Sequence, residues 1–164
     1  AGEQMRSVFF WLVGGLGQRG WTYVAIIVPY LLIGLALLIY LARDLNIILL
    51  GEEEALSLGV EVERVKKIVL VAASLITAGA VSVSGMIGFV GLIVPHAMRI
   101  LIGPDHRFLY PAAMLGGGIF LVAADTFART VISPAEVPVG IITAFLGAPF
   151  FIYLLRRHRE KYRF

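Results

Sequence analysis

Long apolar runs separated by short charged segments make up most of this chain. A membrane-spanning helix needs roughly 20 apolar residues. The stretch from Thr22 to Ala42 has that length without a charged residue, and Phe108 to Arg129 and Val137 to Leu155 are similar. Ile68 to Ile102 is too long for one crossing and indicates two. The pattern predicts an all-α, polytopic transmembrane bundle of about five spans plus a partial one, the end of which is Val8 to Leu16.

The longest apolar run is interrupted at close intervals by small or helix-breaking residues, namely Ser84, Gly85, Gly88, Gly91 and Pro95. In lipid, an interrupted backbone must satisfy its freed N–H and C=O groups against protein or a water-filled cavity. Such segments are therefore typical of transport pathways. The same glycines also fit close helix packing, because small residues let membrane helices approach one another. The residues alone leave both interpretations open.

Composition supports the membrane assignment and excludes several other classes. Hydrophobic residues make up 59% of the chain, charged residues 15%, and the mean hydropathy is +0.90, whereas soluble domains are about 45–50% apolar. Cysteine is absent, which excludes a disulfide framework, a thiolate metal site and a cysteine nucleophile. The net charge of +3 comes from short loops and the C-terminus, so we expect no nucleic-acid partner.

The distribution of Lys and Arg predicts the orientation of the chain. Loop 43–67, loop 103–107 and the C-terminal tail hold most of these residues, whereas Arg19 and Arg129 lie on the opposite side. Under the positive-inside rule, the two loops and the C-terminus are cytoplasmic. The chain begins at Ala1 without the pattern of a signal peptide, and we expect it to be a fragment of a longer chain.

Loop 43–67 is longer than a connector requires and carries an amphipathic pattern. Three glutamates, Glu52 to Glu54, precede apolar residues, and acidic residues favour the start of a helix. Gly51 and Gly59 bracket this short predicted helix as turn and C-cap residues. The helix could lie on the membrane surface, but its acidic face fits anionic lipid poorly. Docking into a groove on a cytoplasmic partner is the favoured interpretation.

The ionisable residues give little indication of catalysis. His96 stands alone, and neither His106 nor His158 has a second His or Cys at the spacing of a zinc site. Asp125 precedes Arg129 by four residues, which is the spacing of a helical ion pair. No phosphate-binding GxxxxGK[ST] motif is present. If ATP drives this protein, another chain must bind it.

The outer loop RTVISPAEVPVG is flanked by Arg129 and Glu136. These charges could simply be solvated. They could also form half of a charge-complementary docking surface, which would steer encounter and fix register.

Several blocks of the sequence resemble one known family in order and spacing. They are WLVGGLGQRGW, LNIILLGEEEALSLGV, SGMIGFVGLIVPHAMRILIGPDHRFLYPAAMLGGG, LVAADTFART and SPAEVPVGIITAFLGAPFFIYLLRR. The chain resembles the C-terminal half of the permease of type II ABC importers, the FecCD-type permeases for ferric siderophores, haem and cobalamin. The resemblance implies a ten-helix subunit of which residues 1–164 form a single transmembrane domain, from the end of helix five to helix ten. By this resemblance, helices one to four and most of helix five would lie outside residues 1–164.

The resemblance also implies partners and site residues. The expected partners are cytoplasmic ABC ATPases, which would hold ATP and its magnesium, a periplasmic or lipid-anchored substrate-binding protein, a second permease copy, and lipid. Loop 43–67 corresponds to the coupling segment, with the ATPase-docking residues Gly51, Glu52, Glu53, Ala55, Leu58 and Gly59. Arg129 and Glu136 correspond to the binding-protein docking surface. The pathway would be lined by Ser84, Gly85, Gly88, Gly91, Pro95, Thr143 and Gly147.

The expected function is therefore that of an inner-membrane permease of an ATP-driven importer for a metal chelate, in a bacterial or archaeal cell. The chain would bind no cofactor and catalyse no reaction. A secondary transporter or channel without an ATPase is the alternative, although it would require intramembrane ionisable residues that are scarce here. An intramembrane enzyme lacks a nucleophile–base pair. A truncated, non-transporting remnant is also possible because half of the subunit is missing.

Overall fold

A computed structural model describes residues 2–17, 20–131 and 137–161. Within these residues the chain forms α-helices joined by short loops, with no strand. The helices are α1 (Gly2–Val13), α2 (Trp21–Tyr40), α3 (Ala42–Ile48), α4 (Glu52–Ser57), α5 (Val62–Ser84), α6 (Val90–Ile102), α7 (His106–Thr130) and α8 (Val139–Lys161). The all-α class predicted from the apolar pattern is confirmed.

Four of the described helices, α2, α5, α7 and α8, are long and apolar enough to cross a membrane. The long run Ile68–Ile102 does divide in two, as predicted, with the break at residues 85–89. Its second part, α6, has only 13 residues, or about 20 Å at 1.5 Å per residue. This is shorter than a hydrocarbon core of about 30 Å. The described part of the chain therefore has four helices of spanning length and one shorter apolar helix. Helix α6 is short because the break removes five residues from helical structure.

Helix α2 is apolar on every face and carries an aromatic residue at each end. Trp21 is 86% exposed and Tyr40 is 80% exposed, so both rings are available to the surroundings of the helix. Helix α2 has 20 residues, which gives a length of about 30 Å. Aromatic side chains at this separation are typical of the two membrane–water interfaces.

The chain forms two compact units. Unit 1 consists of the described parts of residues 1–18, 84–97 and 115–164, and unit 2 of the described parts of 19–83 and 98–114. In unit 2, α2 meets α5 at Gly34, where an added Cβ would lie 2.3 Å from the Cδ1 atom of Ile76. A small residue thus lets these two helices approach closely.

Unit 2 also contains a small apolar cluster around α4. The buried side chains of Ala55, Val60, Val62 and Val65 form its centre, and partly buried residues of α3 and α5 pack against them, namely Leu45, Ile47, Ile48 and Val69. Full burial of a valine side chain contributes about 1.5–3 kcal/mol relative to exposure. The cluster therefore fixes α4 against α3 and the beginning of α5.

In unit 1, three chain segments cross backbone to backbone. The Gly15 N–H donates to the Ser84 carbonyl over 2.9 Å, and the Gly140 N–H donates to the Gly14 carbonyl over 3.4 Å. We call this crossing of the end of α1, the break after α5 and the start of α8 the glycine junction. A Cβ at Gly85 would lie 2.3 Å from the Trp11 carbonyl oxygen. Glycine is therefore required where these backbones touch.

The break after α5 ends at a residue with unusual backbone geometry. Phe89 has a φ of +66°, in the left-handed region, and its side chain packs on α8 at Gly147, where an added Cβ would lie 2.2 Å from the Phe89 Cβ. The Phe89 carbonyl accepts the N–H groups of Leu92 and Ile93 at 3.0 and 2.9 Å. This residue therefore starts α6 and holds it against α8.

A Gly140→Ala substitution should destabilise the protein, because the new Cβ would lie 1.8 Å from the Val13 carbonyl oxygen. Backbone cannot move aside as a side chain can, so we expect a loss of about 2 kcal/mol or more. Gly79→Ala is the matched control, since no atom lies within 4 Å of a Cβ at Gly79. Thermal unfolding in detergent checks the difference, and equal midpoints for the two variants would contradict the backbone crossing.

Candidate functional site

Helix α4 is a short helix between two glycines, as its sequence predicts. Gly59 has a φ of +82°, its N–H donates to the Leu56 carbonyl, and the Val60 N–H donates to the Ala55 carbonyl, both over 3.0 Å. This pair of bonds is a Schellman motif, in which glycine takes the left-handed position that ends a helix. At the other end, the Ala55 N–H bonds to the Gly51 carbonyl over 3.0 Å.

The predicted docking residues of α4 divide into a buried and an exposed group. Ala55 is fully buried, at 0% exposure, in the apolar cluster of unit 2. Glu52 and Glu53 are exposed, and Leu58 is 63% exposed. Any part of Ala55 in docking is therefore indirect, because its methyl group positions the helix and touches no outside partner.

Three further leucines belong to this exposed surface and were not among the residues selected from the sequence. Leu56 is 62% exposed, and Leu49 and Leu50, which precede α4, are exposed as well. We call Leu49, Leu50, Leu56 and Leu58 the leucine surface. In the sequence these leucines stand as two pairs, one before and one after the glutamates. Their spacing alone did not show which apolar residues of this segment pack inward.

An open groove with a volume of 630 Å³ runs beside α4. Glu52, Glu61 and Glu63 bring negative charge to its wall, and Arg64 and Lys67 bring positive charge. The Lys66 ammonium donates to the Glu52 carboxylate, and both side chains are solvent-exposed. Exposed pairs of this kind contribute little stability.

Asp105 caps the N-terminus of α7. Its Oδ1 atom accepts the Arg107 N–H over 3.0 Å and a bond from the Asn46 side-chain amide over 2.6 Å. These two bonds, of which the Arg107 backbone bond has the larger effect, hold the pKa of the Asp105 carboxyl below its usual value. The carboxylate therefore stays ionised at neutral pH, which favours the positive end of the helix dipole.

At the other end of α7, Arg129 pairs with Asp125. The Arg129 Nε atom donates to the Asp125 Oδ2 atom over 2.7 Å, one turn earlier in the same helix. The ion pair predicted from the spacing is confirmed. The Arg129 side chain is half-exposed. Glu136 lies outside the described residues.

The predicted pathway residues occupy different environments. Gly85 is buried in the glycine junction, where the close-packing interpretation accounts for it. Gly88 and Gly91 are exposed, and a Cβ at either would meet no atom within 4 Å. Ser84 and Pro95 are partly buried. A side chain at position 88 or 91 would therefore extend into free space.

On α8, Thr143 and Gly147 are both buried. The Thr143 hydroxyl donates to the Gly140 carbonyl over 3.1 Å, and Gly147 lies under Phe89. Nearby, the His96 ring meets the Phe150 ring edge-on at 5.7 Å, so His96 packs as an aromatic residue. Within the described residues no group of three His, Asp or Glu side chains could hold a metal ion.

The four long apolar helices and the exposed amphipathic segment between α2 and α5 define a multi-pass membrane protein. The profile of the FecCD transport family matches residues 1–157. The chain belongs to the FecCD transport family.

Named relatives are similar over nearly the whole chain. The cobalamin import system permease protein BtuC of Halobacterium salinarum is 53% identical over 156 residues, which are 95% of this chain and 42% of the relative. The hemin transport system permease protein HmuU of Yersinia pestis is 45% identical over 163 residues, 97% of this chain and 48% of the relative. The chain thus spans less than half the length of these curated relatives.

A solved structure described as an inward-facing conformation of a metal-chelate type ABC transporter has the same fold. It superposes with a TM-score of 0.85 at 36% sequence identity, over 94% of this chain and 50% of that chain.

Cysteine labelling tests the division of α4 into two faces, because the sequence contains no native cysteine. We expect Leu56→Cys to react with a water-soluble maleimide at least about tenfold faster than Ala55→Cys, since only exposed thiols ionise and react readily. The rates are measured on membranes before and after mild detergent. If Leu56→Cys and Ala55→Cys reacted at equal rates both in membranes and in detergent, α4 would not be packed on its Ala55 side.

Proposed function

We propose that this chain forms the membrane-spanning permease portion of an ATP-driven importer for a metal chelate. The observation that carries the proposal is the match of the FecCD transport family to residues 1–157. The relatives named above are permeases for cobalamin and hemin, so the proposed substrate class is a chelated metal of the cobalamin, haem or siderophore type. Access would alternate between the two sides of the membrane as a partner ATPase binds and hydrolyses ATP.

The leucine surface and the acidic start of α4 would dock the ATPase. Four leucines between positions 49 and 58 are exposed, and exposed apolar side chains concentrated in this way are typical of an interaction site. Because Ala55 and its neighbours fix α4 against α3 and α5, the leucines are presented on a rigid base. A displacement of the ATPase would therefore move α4 without bending it.

The proposed orientation places loop 43–67 and the C-terminus in the cytoplasm of a bacterial or archaeal cell, where an ATPase has access to them. The support is the excess of Lys and Arg in these segments. Arg129, at the opposite end of α7, would face a substrate-binding protein outside. Its side chain is half-exposed, and an arginine is complementary to a carboxylate on a partner. A second permease copy would complete the pathway.

Leu56→Asp should uncouple the transporter by placing a charge in the apolar docking patch. In proteoliposomes with the ATPase and binding protein, we expect transport and ATPase association to fall at least about tenfold, as for a central interface residue. Leu56→Met, which keeps the apolar bulk, is the control and should couple normally. Normal ATPase association of Leu56→Asp would remove the leucine surface from the proposal.

Arg129→Glu should weaken docking of the binding protein by about tenfold at low salt, with a smaller difference at high salt because exposed charges are screened. Titration of the binding protein onto the permease in nanodiscs measures this. Asp125→Asn serves as the control, since it removes the partner within the helix but keeps the arginine charge. If Asp125→Asn weakened docking as much as Arg129→Glu, the arginine would act only through its ion pair.

A further inference from the structure

A polar cluster joins α3 to the start of α7, although the residues are about 60 positions apart in sequence. The Asn46 Nδ2 atom donates to the Asp105 Oδ1 atom over 2.6 Å. The Asn46 Oδ1 atom accepts the His106 backbone N–H over 2.9 Å and lies 2.7 Å from His106 Nδ1. The side chains are partly buried, so water competes only in part for these bonds.

The orientation of the Asn46 amide follows from its partners. The Asp105 carboxylate can only accept hydrogen bonds, and the His106 backbone N–H can only donate one. Therefore Nδ2 must face Asp105 and Oδ1 must face His106, and the amide uses both of its ends. A hydrophobic residue at position 46 would lack both the donor and the acceptor, and a carboxylate would lack the donor, so neither could make the same pair of bonds.

On α3, the two neighbours of Asn46 in sequence contact a different part of the protein from Asn46 itself. Leu45 and Ile47 both pack against the apolar cluster that surrounds Ala55 of α4. One short helix thus contacts α4 through its apolar side chains and the start of α7 through Asn46. Because α3 has only seven residues, it has little room to bend between these two contacts.

On the α7 side, the cluster includes the helix cap itself. The Asp105 Oδ1 atom that Asn46 contacts also accepts the Arg107 N–H, and the Asp105 carbonyl accepts the Leu109 N–H over 2.9 Å. A displacement of Asn46 would therefore pull on the first turn of α7 and not on a loose loop side chain.

We propose that Asn46 is a positioning residue for coupling, which transmits the displacement of α4 to the first turn of α7. This inference rests on the proposed function, since it assumes that an ATPase moves α4. It adds a non-covalent connection between α4 and the spanning helices, besides the covalent ones through α3 to α2 and directly to α5. Asp105 and His106 are the receiving side of this connection.

The experiment measures substrate transported per ATP hydrolysed, in proteoliposomes that contain the complete permease, its ATPase and its binding protein. Asn46→Leu keeps the approximate size of the side chain and removes its hydrogen bonds. We expect the ratio to fall by about fivefold or more. Ser82→Ala is the control, because it removes a hydroxyl hydrogen bond to Gly79 within α5 and touches neither α3 nor α7.

Two Asp105 variants separate positioning from general damage. Asp105→Asn keeps an oxygen for both the Arg107 N–H and the Asn46 amide, so its ratio should stay near that of the wild type. Asp105→Ala should lower the ratio as Asn46→Leu does, and the double variant should be no worse than either single one. A variant that merely assembles poorly lowers transport and hydrolysis together and leaves the ratio unchanged.

If Asn46→Leu does not assemble, a cross-link replaces it. Asn46→Cys with His106→Cys gives the only thiols in this sequence, and a short bifunctional reagent joins them. Transport should survive the cross-link, because the two positions move together in the proposal. Loss of transport on cross-linking would overturn it, as would an unchanged transport-to-hydrolysis ratio in Asn46→Leu.

The two proposals fail in different ways. If the wild-type complex neither binds an ATPase nor transports, the proposed function fails. If the wild type transports and Asn46→Leu has the same ratio, the importer remains and only the role of Asn46 is wrong.

Discussion

Backbone hydrogen bonding in a medium without water is the constraint on which unit 1 depends. The chain leaves helical structure at residues 85–89, and each freed N–H or C=O group must find a partner. The partners are other backbones: Gly15 bonds to Ser84, and Met86 bonds to the Trp11 carbonyl over 3.4 Å. Backbones approach this closely only where no Cβ intervenes. The glycines of the junction thus decide where the end of α1, the break after α5 and the start of α8 can meet.

In unit 2, the segment around α4 exposes apolar side chains and is held in place by a separate set of buried ones. Its short segment uses aliphatic residues twice. Ala55 and its neighbours face inward and hold the helix in place, whereas the leucine surface faces outward. Charged residues line the groove beside α4, and in the proposal an ATPase covers the leucine surface. A helix that is packed firmly on one side and exposes apolar side chains on the other could transmit a displacement from one protein to another.

The sequence predicted those features that depend on local chemistry. The glycines around α4, the break in the long apolar run and the Asp125–Arg129 pair all depend on residues within a turn or two of each other. It could not predict that Ala55 is buried and Leu56 exposed, because a six-residue helix is too short for its periodicity to define a face. It predicted the break within Ile68–Ile102, but it also predicted a full crossing after the break, where α6 has only 13 residues. The contact of Asn46 with Asp105 joins distant positions and has no signature in a single sequence. The roles of the docking and pathway residues remain predictions.

The left-handed Phe89 has a consequence for how this segment can change over evolutionary time. A non-glycine residue in that region is strained by about 1–3 kcal/mol, and here the ring packs where Gly147 leaves room for it. Glycine at position 89 would relax the backbone but leave the surface of α8 uncovered. A larger residue at position 147 would fit only beside a smaller one at 89. The two sites are therefore expected to vary as a pair, so that a substitution tolerated in one lineage is harmful when transplanted alone into another.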